Sequence, residues 1–83
     1  MNVERFIAVY DKDDDSLLDD IKVELPTPEL LDILNIDAED DPDVYKTYQI
    51  TEPQFMRLKA LLPDLQNVDF NAVHMNLECF SIE

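Results

Sequence analysis

Asp11, Asp13 and Asp15 alternate as the opening carboxylates of a calcium loop do, where oxygens one, three and five steps along converge on a hard cation. The pattern then fails. Ser16 stands where the sharp turn needs glycine, and Lys22 where a bidentate Glu would close the site. A charged hairpin tip, kept from edge pairing by like-charge repulsion, accounts for the same residues. His74 and Cys79 are the only histidine and the only cysteine. Five positions apart on a strand they point to opposite faces, so they form no Cys-His pair, and they fall short of the roughly four ligands that zinc takes. His74 therefore reads as a partly exposed strand residue and Cys79 as a small core hydrophobe. Paired carboxylates are plentiful, but a glycosidase-type acid needs an apolar pocket beside a groove to hold its proton. Such a groove is hard to build in 83 residues with no Gly and no Trp. The lack of glycine also removes the phosphate-cradling loops of Walker and dinucleotide type. The expectation is a protein that is not an enzyme and uses no cofactor and no metal.

The remaining chemistry is charge. Asp and Glu number 20 against 6 Lys and Arg, a net charge of −14. Such a surface repels nucleic acid and anionic membranes, whose phosphates need Lys and Arg, and attracts basic proteins. Residues 1–25 carry eight acids, residues 26–52 eight and residues 53–83 four, so the acid is concentrated in the first two-thirds. Self-repulsion at this density opposes compactness, which invites a functional explanation beyond solubility. The residues expected to bind a partner are Asp37, Glu39, Asp40, Asp41 and Asp43 in one run with Tyr45 beside them, and secondarily Asp13, Asp14 and Asp15. For Tyr45 and Tyr48, core and interface roles stand equal, since tyrosines beside acidic clusters serve as interface anchors. One cysteine and no charged-then-apolar leader before Glu4 point to a reducing cytoplasm, and no apolar stretch approaches the ~18 residues that cross a bilayer.

The elements that must position these groups fit one small α+β domain spanning residues 1–83. Residues 4–10 predict a first strand. The run from Asp11 to Ser16 predicts a hairpin connection in which Asp side chains make the turn, and a second strand follows with Leu17, Ile21, Val23 and Leu25 of one parity. Thr27-Pro28-Glu29 predicts a Thr-capped helix to about Leu34, with Leu30, Leu31 and Leu34 inward and Asn35 ending it in the left-handed conformation. Residues 36–43 predict a solvated loop. Val44 to Ile50 predicts a third strand, and Thr51 with Gln54 a capping box that starts a second helix from about Pro53 to Leu62, with Phe55, Leu58, Leu61 and Leu62 as its stripe. Pro63 stops that helix, and Phe70 to Ile82 predicts a last strand whose parity flips after Cys79, as at a bulge or the end of pairing. The order is β-β-α-β-α-β, an antiparallel or mixed sheet with helices on one face.

Val9-Tyr10-Asp11-Lys12-Asp13, Asp40-Asp41-Pro42, the segment Val44 to Ile50 and the closing Phe70 to Ile82 give the chain a likeness over its whole length. It resembles small acidic uncharacterised bacterial domains found among the immunity proteins of polymorphic and contact-dependent toxin systems. The resemblance implies a binding role and a cytoplasmic location; it supplies no toxin and no functional residues beyond the acids already named. Three functions stand side by side. The first is an acidic protein that neutralises a basic partner, in concrete form an immunity protein plugging the cationic groove of a toxin domain. The second is a DNA mimic of phage or mobile-element type, whose carboxylates stand where phosphates would in two long rows. The third is a structural or regulatory subunit, marked by an exposed apolar patch away from the acidic loop. Exposed strands also allow pairing between copies as a homo-oligomer.

Overall fold

The computed structural model describes residues 3–81. Ile82, expected in the last strand, lies outside that range. The chain forms strand β1 (Val3–Asp11), strand β2 (Leu17–Val23), helix α1 (Thr27–Ile33), a two-residue strand β3 (Tyr48–Gln49), helix α2 (Glu52–Leu61), two 3-10 turns (Pro63–Leu65 and Phe70–Ala72) and strand β4 (Val73–Ser81). The fold is α+β, a four-stranded antiparallel sheet in the order β2-β1-β4-β3. β1 is central and pairs with β4 without interruption from Val3↔Ser81 to Asp11↔Val73.

One parity of the strands builds the core. Ile7 and Val9, Ile21 and Val23, and Val73, Met75 and Leu77 cluster with Leu30, Ile33 and Leu34 from the α1 region and with Phe55 and Leu58 of α2. Both helices therefore lie on one face of the sheet. Burying each such aliphatic side chain contributes about 1.5–3 kcal/mol. α1 opens differently from its expected cap. Pro26, extended at φ −60° and ψ 146°, precedes the helix, and its carbonyl accepts from Glu29 and Leu30 at 3.0 and 3.2 Å, so Thr27 is the first helical residue and caps nothing with its side chain. Ile33 takes an inward position with Leu30 and Leu34, leaving Leu31 half-buried. In α2 the return half of the expected capping box is present, with Thr51 N–H donating to Gln54 Oε1 at 2.9 Å. Phe55 and Leu58 are buried, but Leu61 is 46% exposed.

Four further differences have local causes. The third strand shrinks to Tyr48–Gln49 because Val44 is turned into the left-handed region at φ 55°, which no ladder accommodates, and the amides after it are captured elsewhere. With no glycine in the chain, the left-handed positions fall to Asp15, Asn35 and Val44; Asp and Asn tolerate that conformation, whereas Val does so only when its surroundings hold it there. The pairing irregularity lies between Val9 and Tyr10, where β1 meets β2, and not after Cys79. As a result Leu17 stands opposite Tyr10 instead of in line with Ile21 and Val23, and it is 54% exposed. Finally, Phe70–Ala72 is a turn capped by Asp69, which accepts from Asn71 N–H at 3.1 Å, so β4 starts at Val73; Leu65, in the preceding turn, is fully buried.

Candidate functional site

The acidic loop between α1 and β3 is organised around one of its own acids. Asp41 is only 5% exposed, which corrects its placement among surface contacts. Its Oδ1 accepts from Tyr45 N–H at 3.0 Å, and its Oδ2 from Lys46 N–H at 3.0 Å and from the Tyr48 hydroxyl at 2.6 Å. Burial opposes ionisation of Asp41, but the hydrogen bonds from Tyr48, Tyr45 and Lys46 and the charge of Lys46 outweigh it and hold its carboxyl below the usual range. Burial, the Asp41 bond and the charges of Asp41 and Asp40 push the Tyr48 phenol up to about 12. Tyr48 is thus a half-buried internal donor, and Tyr45, 49% exposed, is the tyrosine offered to solvent. Arg5, on the core side of β1, reaches over to the carbonyls of Val44, at 3.3 Å, and of Asp43. It fixes the strained turn to the sheet.

Around that anchor Asp37, Glu39, Asp40 and Asp43 are exposed. Asp37 Oδ1 accepts from Glu39 N–H at 2.9 Å, and Asp40 pairs with Lys46 at 2.7 Å, which raises the Lys46 pKa against the opposing effect of burial. The hairpin tip is built otherwise. Asp11 Oδ1 accepts from Asp13 N–H at 2.8 Å, and Asp14 Oδ1 accepts from the amide and hydroxyl of Ser16 at 2.9 and 2.7 Å, so that Asp side chains make the turn. The Ser16 bonds hold the Asp14 carboxyl below its ordinary value. Asp15 pairs with His74 Nε2 at 2.8 Å, and Asp13, Asp14 and Asp15 are all exposed. Asp11, Asp13 and Asp15 do not converge, and no group of three or more His, Cys, Asp or Glu among the described residues is arranged around a metal position.

The two acidic clusters sit at opposite ends of β1. The tip leaves at Asp11, where Lys12 N–H donates to Ala72 O at 3.1 Å, and the loop is tied to Arg5. Six residue steps separate these ends, about 20 Å at about 3.3 Å per residue. The expected site is therefore two patches.

The opposite parity of the strands carries the other candidate surface. Glu4, Phe6, Ala8 and Tyr10 of β1, Asp20 and Lys22 of β2, and His74, Asn76, Glu78 and Phe80 of β4 point away from the helices, and none belongs to the core cluster. Phe6 meets Phe80 edge-on with ring centres 5.8 Å apart, and Tyr10 stacks on His74 at 5.2 Å. The Tyr10 hydroxyl donates to Glu78 Oε2 at 3.1 Å, and that bond, with burial and the charges of Glu78 and Asp20, raises the phenol's pKa. Phe80 is 47% exposed. The sequence places these residues in its first and last strands without assembling them, although the apolar residues on both parities of β1 (Phe6, Ala8, Tyr10 and Ile7, Val9) were a usable signal. Cys79, of the other parity, is partly buried.

Shallow grooves lie elsewhere among the described residues. One of about 310 Å³ lies between the helices, lined by Glu29, Asp32, Ile33, Arg57, Ala60 and Leu61, with Arg57 paired to Asp32 at 2.7 Å. Another, of about 330 Å³, runs between Leu18 and Val68. Neither joins a nucleophile to a base in the manner of a catalytic pair. No helix of the described residues is long and apolar enough to cross a membrane. No curated protein and no solved structure matches the chain. One family model, described as Domain of unknown function (DUF7683), matches residues 4–74, which include all but the first residue of β1, then β2, both helices and the acidic loop, and the chain belongs to that family.

Proposed function

We propose that this protein is a non-enzymatic acidic binding protein that neutralises a basic protein partner, in concrete form an immunity protein that covers the cationic groove of a bacterial toxin domain in the cytoplasm. The observation that carries the reading is the charge left over after the fold has used what it needs. Asp41 is the one buried charged residue among those described, and four of the six Lys and Arg side chains are engaged within the molecule. Lys22 lies between Glu4 and Glu24 at 3.5 and 3.7 Å, Lys46 pairs with Asp40, Arg57 with Asp32, and Arg5 with loop carbonyls. What remains is a solvated anionic surface on a body 34 × 28 × 22 Å. Such a surface steers a cationic partner into fast encounter. The likeness to small acidic domains found among immunity proteins supports the concrete form.

The test is capture. The immobilised protein, exposed to extract of its source cells, should retain a basic protein that salt releases, and a gene for a large secreted protein with a variable C-terminal domain should lie immediately upstream. A retained partner that is acidic, or that stays bound through high salt, contradicts the reading. A partner displaced by duplex DNA in competition would replace it with DNA mimicry.

A further inference from the structure

β1 is apolar on both sides, as strands covered on both faces are, yet helices cover only one face. On the uncovered face the cross-strand pairs form rungs. Leu17, Tyr10 and His74 make one, Asp20, Ala8 and Asn76 the next, Lys22, Phe6 and Glu78 the third, and Glu4 with Phe80 the last. Ala8 is small enough for Tyr10 to lie along the sheet and reach Glu78 past it, and Ala8 is left 1% exposed. The result is a row of aromatic contacts on this face, with Phe80 edge-on to Phe6 and Tyr10 stacked on His74. Carboxylates border it at Glu4, Glu78 and Asp20, with Asp15 held at its end by His74. Its only lysine, Lys22, is already set between Glu4 and Glu24.

Charge decides which occupant fits. Exposed aromatics on an open sheet are what single-stranded nucleic acids stack upon, but such binding also needs cations along the backbone path, and this face has carboxylates there. A second copy would bring another net charge of −14 against the same acids. A guanidinium group suits both features at once, since it stacks on aromatic rings and pairs with carboxylates. We propose that the uncovered sheet face, centred on Phe6 and Phe80 and bordered by Glu4, Asp20 and Glu78, is the docking surface for an arginine-bearing face of the basic protein partner. This rests on the reading of the protein as a binder of basic proteins. It places the lasting contacts on the sheet and leaves the loop and the hairpin tip to steer the approach.

The experiment titrates the intact protein with a nona-arginine peptide and, separately, a nona-lysine peptide of equal charge, followed residue by residue by NMR. The expected result is saturable shifts at Phe6, Ala8, Glu78 and Phe80 with the arginine peptide. Phe80→Ser should weaken its binding about fivefold with little change in thermal midpoint, and Glu78→Lys should weaken it too, while lysine-peptide binding changes little on Phe80→Ser. Shifts confined to residues 13–15 and 37–43, with Phe80→Ser unchanged, would overturn the surface and leave the acidic-binder reading standing. Binding of neither peptide at low salt would overturn both. Saturable binding of oligouridine to the face, or concentration-dependent self-association that Phe80→Ser abolishes, would overturn the choice of occupant.

Discussion

The hairpin tip and the loop between α1 and β3 are equally acidic in sequence but are built in opposite ways. In the tip, Asp13, Asp14 and Asp15 are all solvated, and the Asp side chains that make the turn bond no further than Ser16, apart from the contact of Asp15 with His74; one backbone bond, from Lys12 N–H to Ala72 O, ties the tip to the rest. In the loop, Asp41 is drawn inside and collects two amides and the Tyr48 hydroxyl, so one acid organises the segment and its neighbours are displayed. Proximity in sequence to other carboxylates therefore says little about whether a carboxylate is free to bind. What matters is whether the adjacent backbone has another way to satisfy its donors.

The largest expected effect follows from that contrast. Asp41→Ala leaves the Tyr48 hydroxyl and two amides without their acceptor and should cost about 2 kcal/mol, lowering Tm by about 10 °C. Urea unfolding checks it, and a change as small as that of a tip variant would erase the distinction between the two regions. Next in size is the response to pH. The Asp41 carboxyl is held below its unfolded value, so its contribution is complete above the ordinary carboxylate range and is lost as pH falls through its depressed folded pKa. The Tyr48 phenol is raised to about 12, so its contribution is complete below the unfolded value and is lost as pH rises toward about 12. In Tyr48→Phe the alkaline loss should shrink in a series of denaturation curves; an unaltered alkaline limb would mean that the Tyr48–Asp41 bond is not formed in solution.

The smallest expected effect is at the tip. Asp13→Asn should move Tm by less than about 2 °C, because its side chain is exposed and outside the turn bonds. Paired charge reversal at Glu39 and Asp40, both exposed, should instead be read in kinetics, as slower association with the basic partner and a flatter dependence on salt. Equal slowing by reversal at Asp13 and Asp14 would show that both patches steer.

The element order was legible in the sequence wherever a local rule held. Pro63 stopped α2, Thr51 and Gln54 started it, Asn35 ended α1 with φ 53°, and Asp side chains closed the glycine-free hairpin. The misses at the third strand and at Phe80 were decided by contacts outside the segment concerned. Val44 to Ile50 has strand composition, but Asp41 takes the amides of Tyr45 and Lys46 and Arg5 holds the Val44 carbonyl, so pairing with β4 is confined to Tyr48, Gln49 and the Ile50 amide. Phe80 broke the expected alternation because β4 presents aromatics on the uncovered face, and no bulge is involved. For the candidate site, the exposed acids were legible from composition, whereas the burial of Asp41 and the joining of Phe6, Tyr10, His74 and Phe80 into one surface depended on strand register.

The central claim is that the uncompensated negative charge serves to bring in a basic protein. The association rate with the captured partner, measured by stopped flow from about 20 mM to about 500 mM sodium chloride, tests it most directly, because screening shortens the reach of exposed charges over that range. The account predicts a fall of at least tenfold; a rate that stays level across the series would contradict it.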